Sequence, residues 1–275
     1  MYKIDSTTYR TIQDFNDRTR FLILHYTAEN FTDSINSLTL PAVPPKSPVS
    51  VHYLVPDPTD MTYSNLFSDV RIFNFVDEHK RAWDVGASAW QTRTNLNDTS
   101  IGVELVNQAY VDPTTGQFVF PPYDAQQLEA TKQICINILQ RYPDISPKNV
   151  LAHSDVSIWR KSDPGPQFPW EDFYDSGIGA WYDGPVKDSY FKKFTDQGIP
   201  EKADILARLN RYGYSLDGLD SGQQTGYTYE QLIRAFQLHF RPKDYSGTVD
   251  VDTVATLYAL TDKYTAQPKD DRSLS

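Results

Sequence analysis

Five short runs within the first 180 residues, most of them apolar on both faces, restrict the fold more than anything else in the chain. They are Phe21-Leu-Ile-Leu-His25-Tyr26, Val51-His52-Tyr-Leu-Val55, Ile72-Phe-Asn-Phe-Val76, Ser100-Ile-Gly-Val-Glu104-Leu-Val106 and Val150-Leu-Ala-His153. Strands without a polar face belong inside a sheet covered by helices. A helix is legible between the last two: Asp124 can cap it with Gln127 at the third position, and Leu128, Thr131, Cys135, Ile138, Leu139 and Tyr142 recur at helical spacing before Pro143. The pattern predicts an α/β fold, a mixed central β-sheet flanked by helices, over residues 1–180. The run Pro41-Ala-Val-Pro44-Pro45-Lys-Ser-Pro48 can be neither helix nor central strand and reads as a surface loop.

Residues 181–199 read as a linker with one short helix around Tyr190–Phe194. Residues 200–275 read as a small all-α three-helix domain with a polar tail. Pro200 suits a first turn ahead of Ile205, Leu206, Leu209 and Tyr212, with Gly213 closing that helix. Thr228 and Gln231 form a capping box before Leu232, Ile233, Phe236 and Phe240, and Asp250 caps a third helix through Val254, Leu257 and Tyr258. His239 falls among core aromatics and carries no chemistry on this reading.

The chain has 275 residues, with 26 Lys and Arg against 36 Asp and Glu, a net charge of −10 that argues against nucleic acid as a partner. Its 18 Tyr, 14 Phe and 5 Trp exceed what a core of this size needs, so rings lining a groove for sugar or peptide are expected. The single Cys135 leaves no intrachain disulfide, and any metal site must come from His, Asp and Glu. No window approaches the roughly 18 to 20 apolar residues of a membrane-spanning segment.

His25 and His153 each end an apolar run, where side chains emerge at the rim of a sheet and can converge. Asp163 follows in an Asp-Pro-Gly turn that fixes its backbone. Two imidazoles and a carboxylate suit Zn²⁺, and three protein ligands leave a fourth position open for chemistry. Glu104 shares one face of its strand with Gly102 and Val106. A carboxylate there must be paired, hydrated in a cleft or protonated, which leaves a structural ion pair and a general base both open.

Leu24-His25-Tyr26-Thr27-Ala28, Ser50-Val-His52-Tyr-Leu, Asn97-Asp98-Thr-Ser100-Ile-Gly-Val-Glu104 and His153-Ser-Asp155 followed by Arg160-Lys161-Ser-Asp163-Pro-Gly165 resemble zinc-dependent N-acetylmuramoyl-L-alanine amidases of the AmiD type, which share a peptidoglycan-recognition-protein-like fold. The likeness spans residues 20–180. Leu209-Asn-Arg-Tyr-Gly213 and Ala235-Phe-Gln-Leu-His-Phe240 are similar to the helical peptidoglycan-binding domain that accompanies such enzymes. The resemblance implies that His25, His153 and Asp163 bind one Zn²⁺, that Glu104 handles protons and that Lys161 stabilises the oxyanion. Tyr26, His52, Trp159 and Arg160 are expected to contact substrate. The bond cut would join the lactyl group of N-acetylmuramic acid to L-alanine of the stem peptide, in peptidoglycan and muropeptides. A monomer is expected, exported to the periplasm, with an outer-membrane lipid anchor on a leader outside this chain.

The chain departs from the family at Ser157-Ile158-Trp159, where relatives read Ala-Pro-Gly, and at Trp83-Asp84-Val85-Gly86, where Trp-His-Ala-Gly is common. These differences are expected to reshape the groove without touching a metal ligand. Two other readings remain: a recognition protein that binds peptidoglycan without cutting it, and a zinc peptidase acting within the stem peptide. The helical domain is expected to act as a separable tether whose removal spares cleavage of small soluble substrates.

Overall fold

An inner strand of the sheet, β1 (Phe21–Tyr26), begins the ordered architecture of a computed structural model that describes residues 4–5, 7–9, 11, 16–44 and 47–265. The polar tail expected at the C-terminus lies outside the described residues, as do Pro45 and Lys46 of the proline-rich loop. In chain order there follow α1 (Phe31–Thr39), β2 (Tyr53–Val55), α2 (Met61–Ser64), β3 (Phe73–Asn74), β4 (Ala89–Trp90), β5 (Arg93–Thr94) and β6 (Ser100–Leu105). Next come β7 (Tyr110–Val111), β8 (Phe118–Val119), α3 (Ala125–Arg141), β9 (Val150–Ala152), α4 (His153–Val156) and α5 (Trp170–Asp175). The C-terminal helices are α6 (Gly184–Gln197), α7 (Lys202–Tyr212), α8 (Tyr229–Phe240) and α9 (Val251–Thr265).

The main sheet has the order β3-β2-β6-β1-β9, with β3 antiparallel to β2 and every other pairing parallel. This is the mixed sheet expected from strands without a polar face. All five expected runs contribute to it, although the second and third are shorter than their apolar stretches, at Tyr53–Val55 and Phe73–Asn74. The parallel register is what matters for chemistry. His25 stands opposite Glu104, and Leu24 opposite Ala152, so His153 leaves β9 level with His25.

Asp124 caps α3 through the backbone N–H groups of Gln126 and Gln127, at 2.8 and 3.4 Å. Gln127 does not fold back to complete a capping box. Its fully buried amide instead donates to the carbonyls of Val55 and Val106, at 3.1 and 2.8 Å, and clamps the helix onto the ends of β2 and β6. Backbone groups at strand ends left without partners inside the protein are costly, and that cost redirects the side chain.

The stretch read as a linker is mostly α6, capped by Asp183 and closed at Gly198. Only Phe194 of this helix is buried, while Val186 and Phe191 are exposed, so its sequence carries little of the period that marks a helix. It packs along α9, with Phe194 edge-on to Tyr258 at 5.0 Å between ring centroids. The three expected helices are α7, α8 and α9, and α6 joins them as a fourth. Pro200 precedes α7 rather than entering its first turn. Among the described residues no helix is long and apolar enough to cross a membrane.

The apolar interior continues from the sheet into these helices without a break. Trp90, fully buried, meets Tyr212 and Tyr214 edge-on at 5.8 and 4.9 Å. Gly213, at φ +153°, allows this approach, since a Cβ there would lie 2.4 Å from the indole. Asp155 is fully buried and accepts hydrogen bonds from the backbone N–H of Ala152 (2.9 Å), the hydroxyl of Tyr214 (2.6 Å) and Nδ1 of His239 (2.7 Å). His239 also stacks on Trp170 at 3.8 Å, in keeping with its expected place among core aromatics, and adds a polar bond to that packing. A separable tether does not fit this interior, because removing α7–α9 would uncover Trp90 and strip two donors from a buried carboxylate. Tyr214→Phe is expected to cost about 1–3 kcal/mol in denaturant unfolding, and a fragment ending at residue 199 to lose its cooperative transition.

Candidate metal centre

Nδ1 of His25 lies 2.9 Å from Nδ1 of His153 and 3.1 Å from Oδ2 of Asp163, and His153 Nδ1 lies 2.9 Å from the same oxygen. All three residues are buried, at 1%, 1% and 3% exposure. Ligand atoms about 2.0–2.1 Å from a tetrahedral zinc lie about 3.3 Å from one another, so the triangle has the size of a three-point metal site. Two of the corners are fixed from behind. Nε2 of His153 donates to the carbonyl of Val85 at 3.0 Å, which leaves Nδ1 with its lone pair toward the centre. Asp163 is tied to α4 by the bond from Ser154 N–H to its carbonyl, at 3.0 Å.

Burial opposes the charge on Asp163, but His153, His25 and Lys161 outweigh it and hold the carboxyl well below its ordinary range. Burial also pushes His153 down to about 3, which keeps that imidazole neutral and able to coordinate. His25 moves the other way: burial lowers it, yet Asp163, Glu104 and Asp84 together raise it. Glu104 is pushed up to about 7, chiefly by burial, with Asp163 and Asp84 adding to the shift and His25 and Lys161 opposing it. Its Oε2 is buried without a hydrogen-bond partner among the described residues.

Lys161 is half-buried and shares the cleft beside the triangle with Glu104 and Asp84. Tyr26 stands partly buried at the end of β1, and burial raises its hydroxyl far above the ordinary range. Trp159 is half-buried and separates this cleft's neighbouring groove from a second hollow lined by Ser215 and Tyr227. Nη2 of Arg160 is bonded to the carbonyls of Val85 and Ala87 and to Ser157 Oγ, so one arm of its guanidinium holds the loop that supports His153.

His52 is not where it was expected. It is 1% exposed, its Nδ1 accepts from the backbone N–H of Gly102 at 3.1 Å, and its Nε2 bonds the carbonyl of Lys80 at 3.1 Å. Both ring nitrogens are committed to backbone and the side chain is buried, so it braces β6 rather than facing the cleft.

The segment Trp83-Asp84-Val85-Gly86 does reach the ligands, against the sequence expectation. Val85 supports His153, and Oδ2 of Asp84 lies 3.7 Å from Nε2 of His25, with the Asp84 side chain 1% exposed. The carboxylate fits only because residue 102 is glycine, since a Cβ there would fall 1.7 Å from Oδ2. Asp84 is the functional-site residue that sequence reasoning missed. The signal was the Trp-Asp departure, read only as a change in groove shape. Carboxylates behind metal-ligating histidines typically govern metal affinity by 10- to 100-fold. Asp84→Asn and Gly102→Ala are both expected to weaken metal retention by about tenfold, read by chelator competition.

A family model described as N-acetylmuramoyl-L-alanine amidase matches residues 15–166. The chain is 38% identical over 263 residues to N-acetylmuramoyl-L-alanine amidase AmiD of Escherichia coli, covering 96% of this chain and 89% of that protein. Among solved structures it is similar to AmpDh3 of Pseudomonas aeruginosa, with TM-score 0.88 and 48% identity over 97% of this chain and all of that one. It is also similar to E. coli AmiD bound to anhydro-N-acetylmuramic acid-L-Ala-D-γ-Glu-L-Lys, with TM-score 0.79 and 36% identity over 96% of this chain and 95% of that one.

Proposed function

The chain belongs to the N-acetylmuramoyl-L-alanine amidase family, and from that premise we propose that it is a zinc enzyme whose His25, His153 and Asp163 hold the metal while Glu104 moves the protons. Its reaction is hydrolysis of the amide between the lactyl group of N-acetylmuramic acid and L-alanine, in muropeptides of the kind bound by its E. coli relative, with γ-linked D-Glu after L-Ala. The observation that carries the reading is the 2.9–3.1 Å triangle of ligand atoms, with an unpartnered buried carboxylate oxygen on the strand position opposite His25.

His25, His153 and Asp163 would hold zinc in that triangle, where it would supply a Lewis acid to polarise the scissile carbonyl and to bring the acidity of water near neutrality. Glu104, as carboxylate, accepts a proton from the attacking water and returns it to the leaving amine of L-alanine. Burial, which raises the Glu104 pKa, helps its carboxyl both to take up and to give back that proton. Lys161 places a cation on the same cleft, where it stabilises charge developing on the carbonyl oxygen. A purely recognising protein would have no use for a buried, unpartnered carboxylate beside a metal triangle. The cleft is formed for hydrolysis, and product analysis separates the amidase from a peptidase cutting within the stem.

The helical C-terminal unit holds intact wall in addition to supporting the fold, and the enzyme works in the periplasm, tethered to the outer membrane, where that polymer is at hand. Pull-down on purified sacculi and cell fractionation of the full-length native protein test these two points.

Mass spectrometry of digested muropeptide is expected to show free stem peptide that disappears on chelation, returns with zinc, and falls by at least 100-fold in Glu104→Gln, in line with loss of general acid–base catalysis. The base must be ionised, so kcat/KM is expected to decline on the acid side, with a midpoint below the value near 7 that Glu104 has in metal-free protein, because a bound cation favours the carboxylate. Stability runs the other way. A carboxyl with a raised folded-state pKa favours the fold at low pH and loses that contribution as pH rises through about 7. Glu104→Gln is therefore expected to raise the melting temperature of metal-free protein at pH 8 and to leave it nearly unchanged at pH 4.

A further inference from the structure

Beside the metal cleft, across Lys161, runs a second groove whose walls come from both ends of the chain: Phe118, Trp159, Arg160 and Ser162 from the sheet region and Arg234 from α8. Lys161 borders both hollows, so the groove continues the cleft. Arg234 is fixed in place. Its Nη1 donates to Ser162 Oγ at 3.2 Å, next to the metal ligand Asp163, and its Cζ lies 5.8 and 5.5 Å from the rings of Phe118 and Tyr245.

None of these three cations meets a carboxylate among the described residues. All three border the same groove, in a chain of net charge −10. Arg234 is half-buried, and burial lowers its pKa, a desolvation cost on its charge. An anionic ligand would offset that cost, and guanidinium groups suit a carboxylate best.

We propose that Arg234, Arg160 and Lys161 form a carboxylate-binding subsite for the stem peptide, so that the C-terminal helical unit contributes directly to substrate selection. The inference rests on the amidase reading. On the substrate proposed above, the sugar carries hydroxyl and acetamido groups but no charge once its lactyl carboxyl is in the amide. The γ-linkage of D-Glu leaves its α-carboxylate free, one residue beyond L-Ala. Two residues of extended chain reach about 7 Å, and the groove adjoins the cleft at Lys161.

The test uses zinc-loaded enzyme and two substrates, N-acetylmuramoyl-L-Ala-D-γ-Glu-L-Lys amide, in which the D-Glu α-carboxylate is the only carboxylate, and the same compound with that carboxylate converted to its amide. Wild type is expected to prefer the acid by about tenfold in kcat/KM, the worth of one charge-assisted hydrogen bond. Arg234→Met and Arg234→Gln, the second keeping a donor for Ser162, are both expected to abolish the preference. A wild type that cleaves both substrates equally well overturns the subsite while leaving the amidase reading intact. Variants that lose activity equally on both substrates also overturn it, since a merely structural arginine would lower both rates and leave their ratio alone. Wild type that cleaves neither removes the amidase reading and the subsite with it.

Discussion

The parallel pairing of β1 with its two neighbours is the constraint from which the active site follows. Register alone sets His25 level with Glu104 on one side and with the start of α4, and so with His153, on the other. A one-residue slip of β1 would turn His25 to the opposite face and scatter the site. The strands can hold that register because nearly every other side chain on them is fully buried and apolar, among them Leu22, Ile23, Leu24, Ile101 and Val103. Core packing and chemical function are thus one requirement in this sheet.

The polar groups of the centre form a charge problem with a single economical solution. Asp163, Asp84 and Glu104 bring three carboxyl groups into a pocket that holds only two imidazoles, one of them kept neutral, and borrows Lys161 from its edge. Buried negative charge of this density calls for a cation. The donor set and spacing favour zinc, whose charge would settle Asp163 and ease Glu104 at once. Backbone supports do the rest: Val85 aims His153, His52 braces Gly102, and the missing side chain of Gly102 makes room for Asp84.

Much of this was legible from residue order. Strand runs, the caps of α3 and α8, and the convergence of His25, His153 and Asp163 all follow from local patterns that the fold respects. What escaped was non-local. His52 has the composition of a cleft residue, but its hydrogen-bond partners are a backbone N–H and a carbonyl that only the folded sheet brings to it. α6 buries only Phe194, against Tyr258 of α9, so its sequence shows no apolar stripe. Asp84 looked like a loop substitution until Gly102, on another strand, gave it a place to stand. The boundary between the two units was drawn from a weakening of pattern, whereas the interior passes through it by way of Trp90, Tyr214 and His239.

The bonds that satisfy Asp155 come from Tyr214 and His239, late in the chain, while every member of the metal triangle has appeared by Asp163. A polypeptide growing from its N-terminus therefore possesses all the ligands well before it possesses the groups that seat the helix bearing one of them. During synthesis such a chain holds all three ligands before it holds the groups that brace the helix bearing His153. The order of residues along the chain makes the finished geometry wait on Tyr214 and His239.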